Sequence, residues 1–225
     1  PEQELFDLAF KLVNDPHPEV AVNALLAVAP IDTGMVQHRL RGLIGDANWL
    51  SRRLAVWCMG YVQGPASLST LKHVIYHDGD ERVVLGAVKA LAKYEASESF
   101  ELLMGVLRHQ NKAVRLAAAR VLSECKDKDV ARKLFPRVAQ TMASEADGKV
   151  RAALVRTLSR LGDPTQYLLV GKALKDQSED VIVAAIEGLD VLGSIDSIGL
   201  VEPFLNDQRP AVRSQAALAL WNQGE

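Results

Sequence analysis

The segment Asn111–Cys125, with the sequence NKAVRLAAARVLSEC, contains a helical pattern that recurs along the chain. Its apolar residues have the spacing that brings them to one side of an α-helix: Val114, Ala118, Val121, Leu122 and Cys125. Three alanines occupy the middle of the segment, and small side chains let a neighbouring helix approach closely. The segment therefore predicts an amphipathic helix that packs against others like it.

Seven segments of the chain share this pattern. When they are aligned on the apolar residue that opens the pattern, they begin at Val20, Leu50, Val83, Val114, Val150, Val181 and Val212. Consecutive aligned residues are 30, 33, 31, 36, 31 and 31 positions apart, and mostly apolar residues recur four and eight positions later. Such near-regular repetition is the sequence signature of stacked helical repeats.

A further apolar helical pattern precedes each of these segments. These first helices are predicted over 4–13, 35–44, 68–76, 100–107, 130–142, 167–174 and 198–205. No stretch alternates between apolar and polar residues for long enough to predict a β-strand. Because one hairpin cannot hide its own apolar face, neighbouring hairpins must stack into a continuous core. We therefore predict an all-α protein, an α-solenoid in which about seven helical hairpins form a right-handed superhelix.

Residues that begin and end helices mark the boundaries of the repeats. Aspartates stand five residues before the aligned position in four repeats and are predicted to cap the second helices: Asp15, Asp78, Asp176 and Asp207. Gly162 and Gly193 follow second helices and suit C-caps. The long spacing in repeat five is assigned to an extra loop at 144–148. The predicted repeats are 1–31, 32–64, 65–95, 96–126, 127–162, 163–194 and 195–225.

The seven repeats are expected to form one domain over residues 1–225. The chain begins without Met and ends just after a repeat, so we expect this domain to be excised from a longer protein. No apolar run approaches the roughly 20 residues that span a bilayer, and no signal peptide is present. On these grounds we predict no membrane insertion and a cytoplasmic location.

Composition and motifs limit the classes of function. The chain has 26 basic and 28 acidic residues, and this net charge of −2 argues against a general nucleic-acid or membrane-surface binder. It contains no glycine-rich phosphate-binding loop, no nucleophile elbow and no paired-cysteine motif. His73 and His77 have a spacing that can hold Zn²⁺, but no further ligand set accompanies them. We therefore expect no catalytic residue, no cofactor and no metal.

The repeated motif D-x-x-x-x-V-R-x-x-A-x-x-x-L resembles HEAT repeats, in particular the short bacterial HEAT-like repeats also found in phycobilisome lyases. The resemblance is carried by His109–Leu122, Glu145–Leu158 and Asp207–Leu220, of which the first has His and the second Glu at the Asp position. The resemblance implies that the arginine after the aligned valine pairs with the acidic residue of a neighbouring turn; these arginines are Arg115, Arg151 and Arg213. It also implies that the second helices line the concave surface of the solenoid.

Basic residues recur on the side of the second helices that faces away from the first helices. They are Arg52, Lys89, Lys93, Arg120, Arg156 and Arg160. We predict that they form a basic stripe on the concave surface, which binds another protein through an acidic or phosphorylated segment. A second interpretation is that these charges only keep a helical surface solvated.

Repeat two offers a second candidate surface. Trp49 and Arg53 place an aromatic ring near a guanidinium, whereas Trp57 is assigned to the core. This segment weakly resembles the aromatic-and-basic segments of HEAT-like DNA glycosylases, which leaves a role in DNA repair or nucleic-acid binding as one alternative. An accessory enzyme subunit similar to phycobilin lyases is another. We favour a non-catalytic scaffold or adaptor, and the sequence indicates neither its partner nor its oligomeric state.

Overall fold

The computed structural model describes residues 8–94 and 97–224, and most of them are helical. In chain order, the helices up to residue 106 are α1 (8–12 within the described range), α2 (Pro18–Val28), α3 (Thr33–Ile44), α4 (Trp49–Met59), α5 (Pro65–His77), α6 (Glu81–Ala90) and α7 (Ser97–Val106). They are followed by α8 (Lys112–Leu122), α9 (Lys128–Ser144), α10 (Gly148–Leu161), α11 (Tyr167–Gly171), α12 (Glu179–Leu192), α13 (Ile198–Val201) and α14 (Pro210–Gly224). Neither described range contains a β-strand, which confirms the all-α prediction.

The chain divides into two compact units, which we call the N-terminal half (up to Val106) and the C-terminal half (from Leu107). In the N-terminal half α4 packs between α2 and α6, and α3 and α5 pack on the second helices of their hairpins. In the C-terminal half α10 packs between α8 and α12, and α12 also packs on α14. Second helices thus lie directly on one another within each half. That the whole chain forms one domain stays a prediction.

The interior of each half is aliphatic, as the low aromatic content requires. Fully buried large side chains include Leu25, Leu40, Met59, Leu71, Ile75, Leu91 and Leu103 in the N-terminal half, and Leu122, Leu134, Leu154 and Leu158 in the C-terminal half. Some of the buried hydroxyls form hydrogen bonds between neighbouring repeats. Tyr94 donates to the Met59 carbonyl and Thr157 to the Ala119 carbonyl, both at 2.8 Å. Burial raises the pKa of Tyr94 to about 12, so this hydroxyl remains a donor at neutral pH.

The predicted first helices correspond to helices in the structure, with different ends. The segment predicted at 130–142 is α9, which runs from Lys128 to Ser144. Those at 167–174 and 198–205 each consist of a short α-helix continued by a 3₁₀ segment, at Lys172–Lys175 and Glu202–Asn206. Residues 4–7 of the segment predicted at 4–13 lie outside the described residues. No described helix is long and apolar enough to cross a membrane.

Two predictions about helix boundaries are wrong. The extra residues of repeat five lengthen α9 to 17 residues, and only 145–147 separate α9 from α10. The caps of α6 and α12 are Asp80 and Ser178, each two residues after the predicted Asp78 and Asp176. Asp78 and Asp176 instead accept the backbone N–H groups of those two cap residues, both at 2.8 Å. Each carboxylate therefore closes the turn ahead of the second helix.

The other two predicted caps fail in the same way. Asp15 accepts the His17 N–H at 2.8 Å, and Asp207 accepts the Arg209 N–H at 2.9 Å. The predicted C-caps are confirmed at Gly162 and Gly193. Gly193 has a φ of 64°, the left-handed conformation that favours glycine.

Candidate functional site

Arginines on second helices join successive hairpins through bidentate ion pairs. Nε and Nη2 of Arg115 donate to Glu145 at 2.8 and 2.9 Å. The same atoms of Arg151 both donate to Asp176 at 2.9 Å. Nη1 of Arg151 donates to two carbonyls of the preceding turn, at Glu145 and Ala146. The pairing that the family resemblance implied for Arg115 and Arg151 is confirmed.

These pairs perturb the carboxylates. Hydrogen bonds from Arg151 hold the pKa of Asp176 below its ordinary value. Burial alone would raise the pKa of Glu145, but the hydrogen bonds from Arg115 and the backbone outweigh it, so that this pKa is lowered as well. Both acids therefore stay ionised at neutral pH, where each stabilises an arginine of the preceding repeat.

Arg52 belongs to the same set of ion pairs, and this corrects its placement in the predicted basic stripe. Its Nε and Nη2 donate to Asp78 at 2.7 and 3.1 Å, and its Nη1 donates to the carbonyls of Asp46 and Ala47. The side chain is mostly buried and its charge is neutralised, so Arg52 is a structural residue. We call the three pairs Arg52–Asp78, Arg115–Glu145 and Arg151–Asp176 the arginine–carboxylate ladder.

The position of Arg52 shows that repeat two was aligned one residue too early. A ladder arginine lies six residues after the residue whose side chain closes the turn within its hairpin, and it directly follows the aligned residue. In repeat two this turn residue is Asp46, which places the aligned position at Ser51. Ser51 is buried, as are the aligned valines of the later repeats, whereas Leu50 is only half-buried. With Ser51 as reference, Trp57 and Tyr61 occupy the positions that Lys89 and Lys93 hold in the next repeat.

A groove with a volume of about 830 Å³ crosses the second helices of the N-terminal half. We call it the aromatic–basic groove, because α4 contributes Arg53 and Trp57, the turn after α4 contributes Tyr61, and Lys89 and Lys93 come from α6 and the 3₁₀ turn after it. Leucines complete the wall, at Leu50, Leu54 and Leu85, and α2 adds Glu19 and Asn23. The groove thus combines apolar surface with an excess of positive charge.

The two aromatic rings of the groove are accessible. Trp57 is 43% exposed and Tyr61 is 52% exposed, so the assignment of Trp57 to the core is wrong. Their ring centroids lie 5.0 Å apart, in a tilted arrangement. The Lys93 ammonium lies 5.4 Å from the Tyr61 ring centroid, within the range of a cation–π interaction. Lys89 is exposed and makes no ion pair among the described residues.

The two members of the second candidate surface lie next to each other, but only one of them lines the groove. Arg53 lines the aromatic–basic groove, whereas Trp49 lies beside it, covered by the Arg82 guanidinium at 3.5 Å from the ring centroid. The Arg53 guanidinium is 6.0 Å from the same ring. Arg82 also pairs with Asp80 at 2.6 Å, and its hydrogen bonds lower the pKa of Asp80 to about 2. Trp49 is therefore less available to a ligand than Trp57.

The C-terminal half has a smaller groove of about 440 Å³ in the equivalent place. Its basic residues, which define the arginine groove, are Arg120, Lys149, Arg156 and Arg160. Arg156 pairs with Glu187 at 2.6 Å, so part of this charge is neutralised. Arg120 and Arg160 are exposed and have no ion-pair partner in the described part of the chain. The predicted stripe residues other than Arg52 thus fall into two groups, one in each half.

Within 8–94 and 97–224, no group of three or more His, Cys, Asp or Glu residues is placed to hold a metal ion. His73 and His77 have their ring centroids 4.6 Å apart. Cys58 is a buried free thiol whose pKa burial raises to about 12, which makes it unreactive at neutral pH.

Stacked helical hairpins, joined here by arginine–carboxylate pairs between successive turns, define the class of α-solenoid repeat proteins. The sequence profile of HEAT repeats matches residues 3–86, 75–141, 101–169 and 135–221. The chain therefore belongs to the HEAT repeat family. No curated protein sequence matches it significantly.

Several solved structures share this fold at low sequence identity. An archaeal HEAT-like repeats protein from Thermococcus onnurineus is 14% identical, with a TM-score of 0.53 over 100% of this chain and 97% of that one. The complex of CpcE and CpcF of phycocyanin lyase from Nostoc sp. is 21% identical, with a TM-score of 0.53 over 84% of this chain and 77% of that one. An engineered protein is 16% identical, with a TM-score of 0.52 over 98% of this chain and 68% of that one. At such identities the likeness concerns the fold alone.

Proposed function

We propose that this protein is a non-catalytic scaffold that holds a partner protein by an acidic segment bound in the aromatic–basic groove. The observation that carries the proposal is the exposed pair Trp57 and Tyr61 beside Lys89 and Lys93, on two packed second helices and the turns that follow them. Large rigid aromatic side chains supply contact area at small entropic cost, and they dominate the binding energy of many protein interfaces.

The charges of the groove specify the chemistry of the segment. Four cationic side chains line it, at Arg53, Arg82, Lys89 and Lys93, of which only Arg82 is paired with a described carboxylate, that of Asp80; the one acid in the lining is Glu19. A complementary segment carries Asp or Glu next to an apolar or aromatic residue, which packs on Trp57. A phosphorylated residue in that segment would meet the same cations and form charge-assisted hydrogen bonds.

A preformed groove also suits this role energetically. The second helices are held by core packing and by the ladder pair Arg52–Asp78, so the groove needs little ordering when a segment binds. The arginine groove of the C-terminal half offers a second, weaker surface for acidic residues of the partner. No step in this function requires a reactive group.

The proposal is tested by selecting ligands from a phage-displayed library of random short peptides. We expect wild-type protein to enrich peptides that combine Asp or Glu with Trp, Phe or Leu. The substitution Trp57→Ala should weaken their binding by roughly tenfold or more, because it removes the central aromatic contact. As a matched control, Trp221→Ala removes an exposed tryptophan outside the groove and should leave the peptide affinity unchanged.

Two results would refute the proposal. The first is a selection that enriches no acidic peptide, and the second is enriched peptides that bind Trp57→Ala as tightly as wild type. Single-stranded DNA that competes for the groove with higher affinity than the selected peptides would favour the nucleic-acid alternative instead.

A further inference from the structure

The cations of the arginine groove come from two packed second helices. Lys149, Arg156 and Arg160 follow one another at intervals of seven and four residues along α10, so they share one face of that helix. Arg120 belongs to α8, which packs directly against α10. Two buried alanines of α10 also line the groove, and their small side chains leave space between the long basic ones. The groove is thus a concave site with guanidinium groups from both helices.

Most of the positive charge in this groove is available to a ligand. Arg120 and Arg160 are exposed and unpaired among the described residues, and the same holds for Lys149. The one acid in the lining is Asp180, which is itself exposed and comes from α12. The groove therefore has an excess of positive charge before any partner binds.

Arg156 is held differently from the ladder arginines. Only its Nε donates to Glu187, at 2.6 Å, whereas Arg151 binds Asp176 through both Nε and Nη2. The side chains of Arg156 and Glu187 are 45% and 34% exposed, against 21% and 19% for the ladder pair. An exposed ion pair with a single hydrogen bond contributes little stability. Glu187 can therefore be displaced from Arg156 by a stronger anion.

The composition of the groove indicates which anion this is. Guanidinium groups bind phosphate through paired hydrogen bonds. A phosphorylated side chain carries about −1.5 to −2 charges and three acceptor oxygens, so it binds several arginines at once. Among the described residues, no aromatic side chain lines the groove for a nucleotide base to stack on. Asp180 and Glu187 on α12 repel polyanions such as DNA or an acidic membrane surface, which leaves a single localised phosphate as the best match.

We propose that the arginine groove binds a phosphorylated serine or threonine of a partner protein, and that Glu187 competes with this phosphate for Arg156. The phosphate displaces Glu187 and also contacts Arg120 and Arg160. A carboxylate of the partner would only exchange one carboxylate for another at Arg156, and an unmodified hydroxyl carries no charge. The groove thus distinguishes a phosphorylated segment from the unmodified one. This site is separate from the aromatic–basic groove, and neither depends on the other.

The test uses labelled nonapeptide pools with phosphoserine, Glu or Ser at the centre and random residues elsewhere, and measures binding by fluorescence anisotropy. Wild-type protein should bind the phosphoserine pool about tenfold or more tightly than the Glu pool, because the phosphate has more charge and more acceptors. Arg120→Gln/Arg160→Gln should remove this preference. The matched control Arg39→Gln/Arg41→Gln neutralises two exposed arginines of α3 outside both grooves and should retain it.

A second variant tests the competition directly. Glu187→Gln should bind the phosphoserine pool about two- to fivefold more tightly than wild type, because the exposed ion pair no longer occupies Arg156. Arginines that only keep the surface solvated would give no such gain. Circular dichroism melting curves for all variants confirm that the changes in affinity do not come from unfolding.

Three results would overturn the proposal: equal binding of the phosphoserine and Glu pools, unchanged affinity of Arg120→Gln/Arg160→Gln, or no gain for Glu187→Gln. If Trp57→Ala abolishes binding of the phosphoserine pool, the phosphate lies in the aromatic–basic groove, and this proposal fails while the proposed function stands. Single-stranded DNA that displaces the phosphoserine pool more effectively than unlabelled phosphopeptide would assign the groove to nucleic acid and overturn it as well.

Discussion

At the scale of single residues, each ladder arginine serves two repeats at once. One edge of its guanidinium binds the turn of its own hairpin, and the other edge binds a carboxylate from the next hairpin. Arginine suits this position because its planar fork presents donors in both directions, which a lysine ammonium does not. The carboxylate in turn closes the next turn through a backbone N–H.

Replacing Arg151 by Met should destabilise the protein. Methionine keeps much of the aliphatic stem but leaves the Asp176 carboxylate without its partner, in a site where both side chains are largely buried. We expect the free energy of unfolding to fall by about 1–3 kcal/mol, measured by urea denaturation at neutral pH. Arg132→Met, which breaks the exposed pair with Asp129, should change it by less than about 0.5 kcal/mol.

The pH dependence of the difference in unfolding free energy between wild type and Arg151→Met provides an internal check. Folding lowers the pKa of Asp176, so the stability that the pair contributes is fully present above the unfolded-state pKa of about 3.9. It is lost as the pH falls further through the folded-state pKa. Wild type and Arg151→Met should therefore converge in acid, and a difference that persists unchanged there would show that packing, and not charge, causes the loss.

The residue-level errors have a physical origin. Leu50 is the apolar residue that opens the pattern of repeat two, but it lines the wall of the groove and is only half-buried. Apolar character does not distinguish a groove wall from a core. The turn acid Asp46 gives the correct register, and alignment on such acids predicts from the sequence alone that Trp57 and Tyr61 lie at the positions of Lys89 and Lys93.

At the scale of helices, close approach between second helices depends on small residues. Gly188 of α12 lies against Ser159 of α10, and a side chain at Gly188 would collide with the Ser159 hydroxyl. In the N-terminal half, a Cβ on Gly60 would lie 3.3 Å from Ala90 of α6. These contacts bring the second helices close enough for the ladder pairs and the grooves to form.

Gly188→Ala should therefore destabilise the protein although alanine favours helices. Overpacking against Ser159 and Val170 costs about 1–3 kcal/mol, which exceeds the gain of about 1 kcal/mol in helix propensity. Thermal unfolding is the measurement. Gly42→Ala in α3 is the matched control, because no atom lies within 4 Å of the added methyl group, and it should raise the melting temperature. A stabilised Gly188→Ala would show that the helices adjust freely.

Helix boundaries were less predictable than helix identities. The apolar period defines which residues share a face, but it does not indicate where the backbone leaves the helical conformation. In repeat five the helix continues to Ser144, and Asp147, the last of the three residues between the helices, caps α10. The mixed α and 3₁₀ character of the first helices in repeats six and seven has no signal in the apolar spacing.

At the scale of the whole molecule, a net charge of −2 conceals local basic surfaces. The acids lie largely in turns and in ion pairs, such as Asp78 and Asp176, whereas Lys89, Lys93 and Arg120 remain exposed on second helices. The repeat architecture was predictable because the same apolar pattern recurs seven times along the sequence. The grooves were predictable only in part. The aromatic residues of the aromatic–basic groove can be placed only with the correct register of repeat two, and the apolar pattern of that repeat is shifted by one residue.

The central claim is that the aromatic–basic groove recognises acidic segments. It is tested most directly by reversing the charges of the groove and, separately, those of the peptide. The binding of an acidic peptide selected on wild type is measured by fluorescence anisotropy with wild type and with the groove variant Lys89→Glu/Lys93→Glu. The control variant is Lys126→Glu/Lys133→Glu, which makes the same charge change on the surface outside the grooves. We expect only the groove variant to lose affinity, by about tenfold or more, because attractive contacts of up to about 1 kcal/mol each become repulsive. A peptide with Lys in place of its acids should regain binding to that variant, whereas equal loss in both variants, or no loss in either, would contradict the claim.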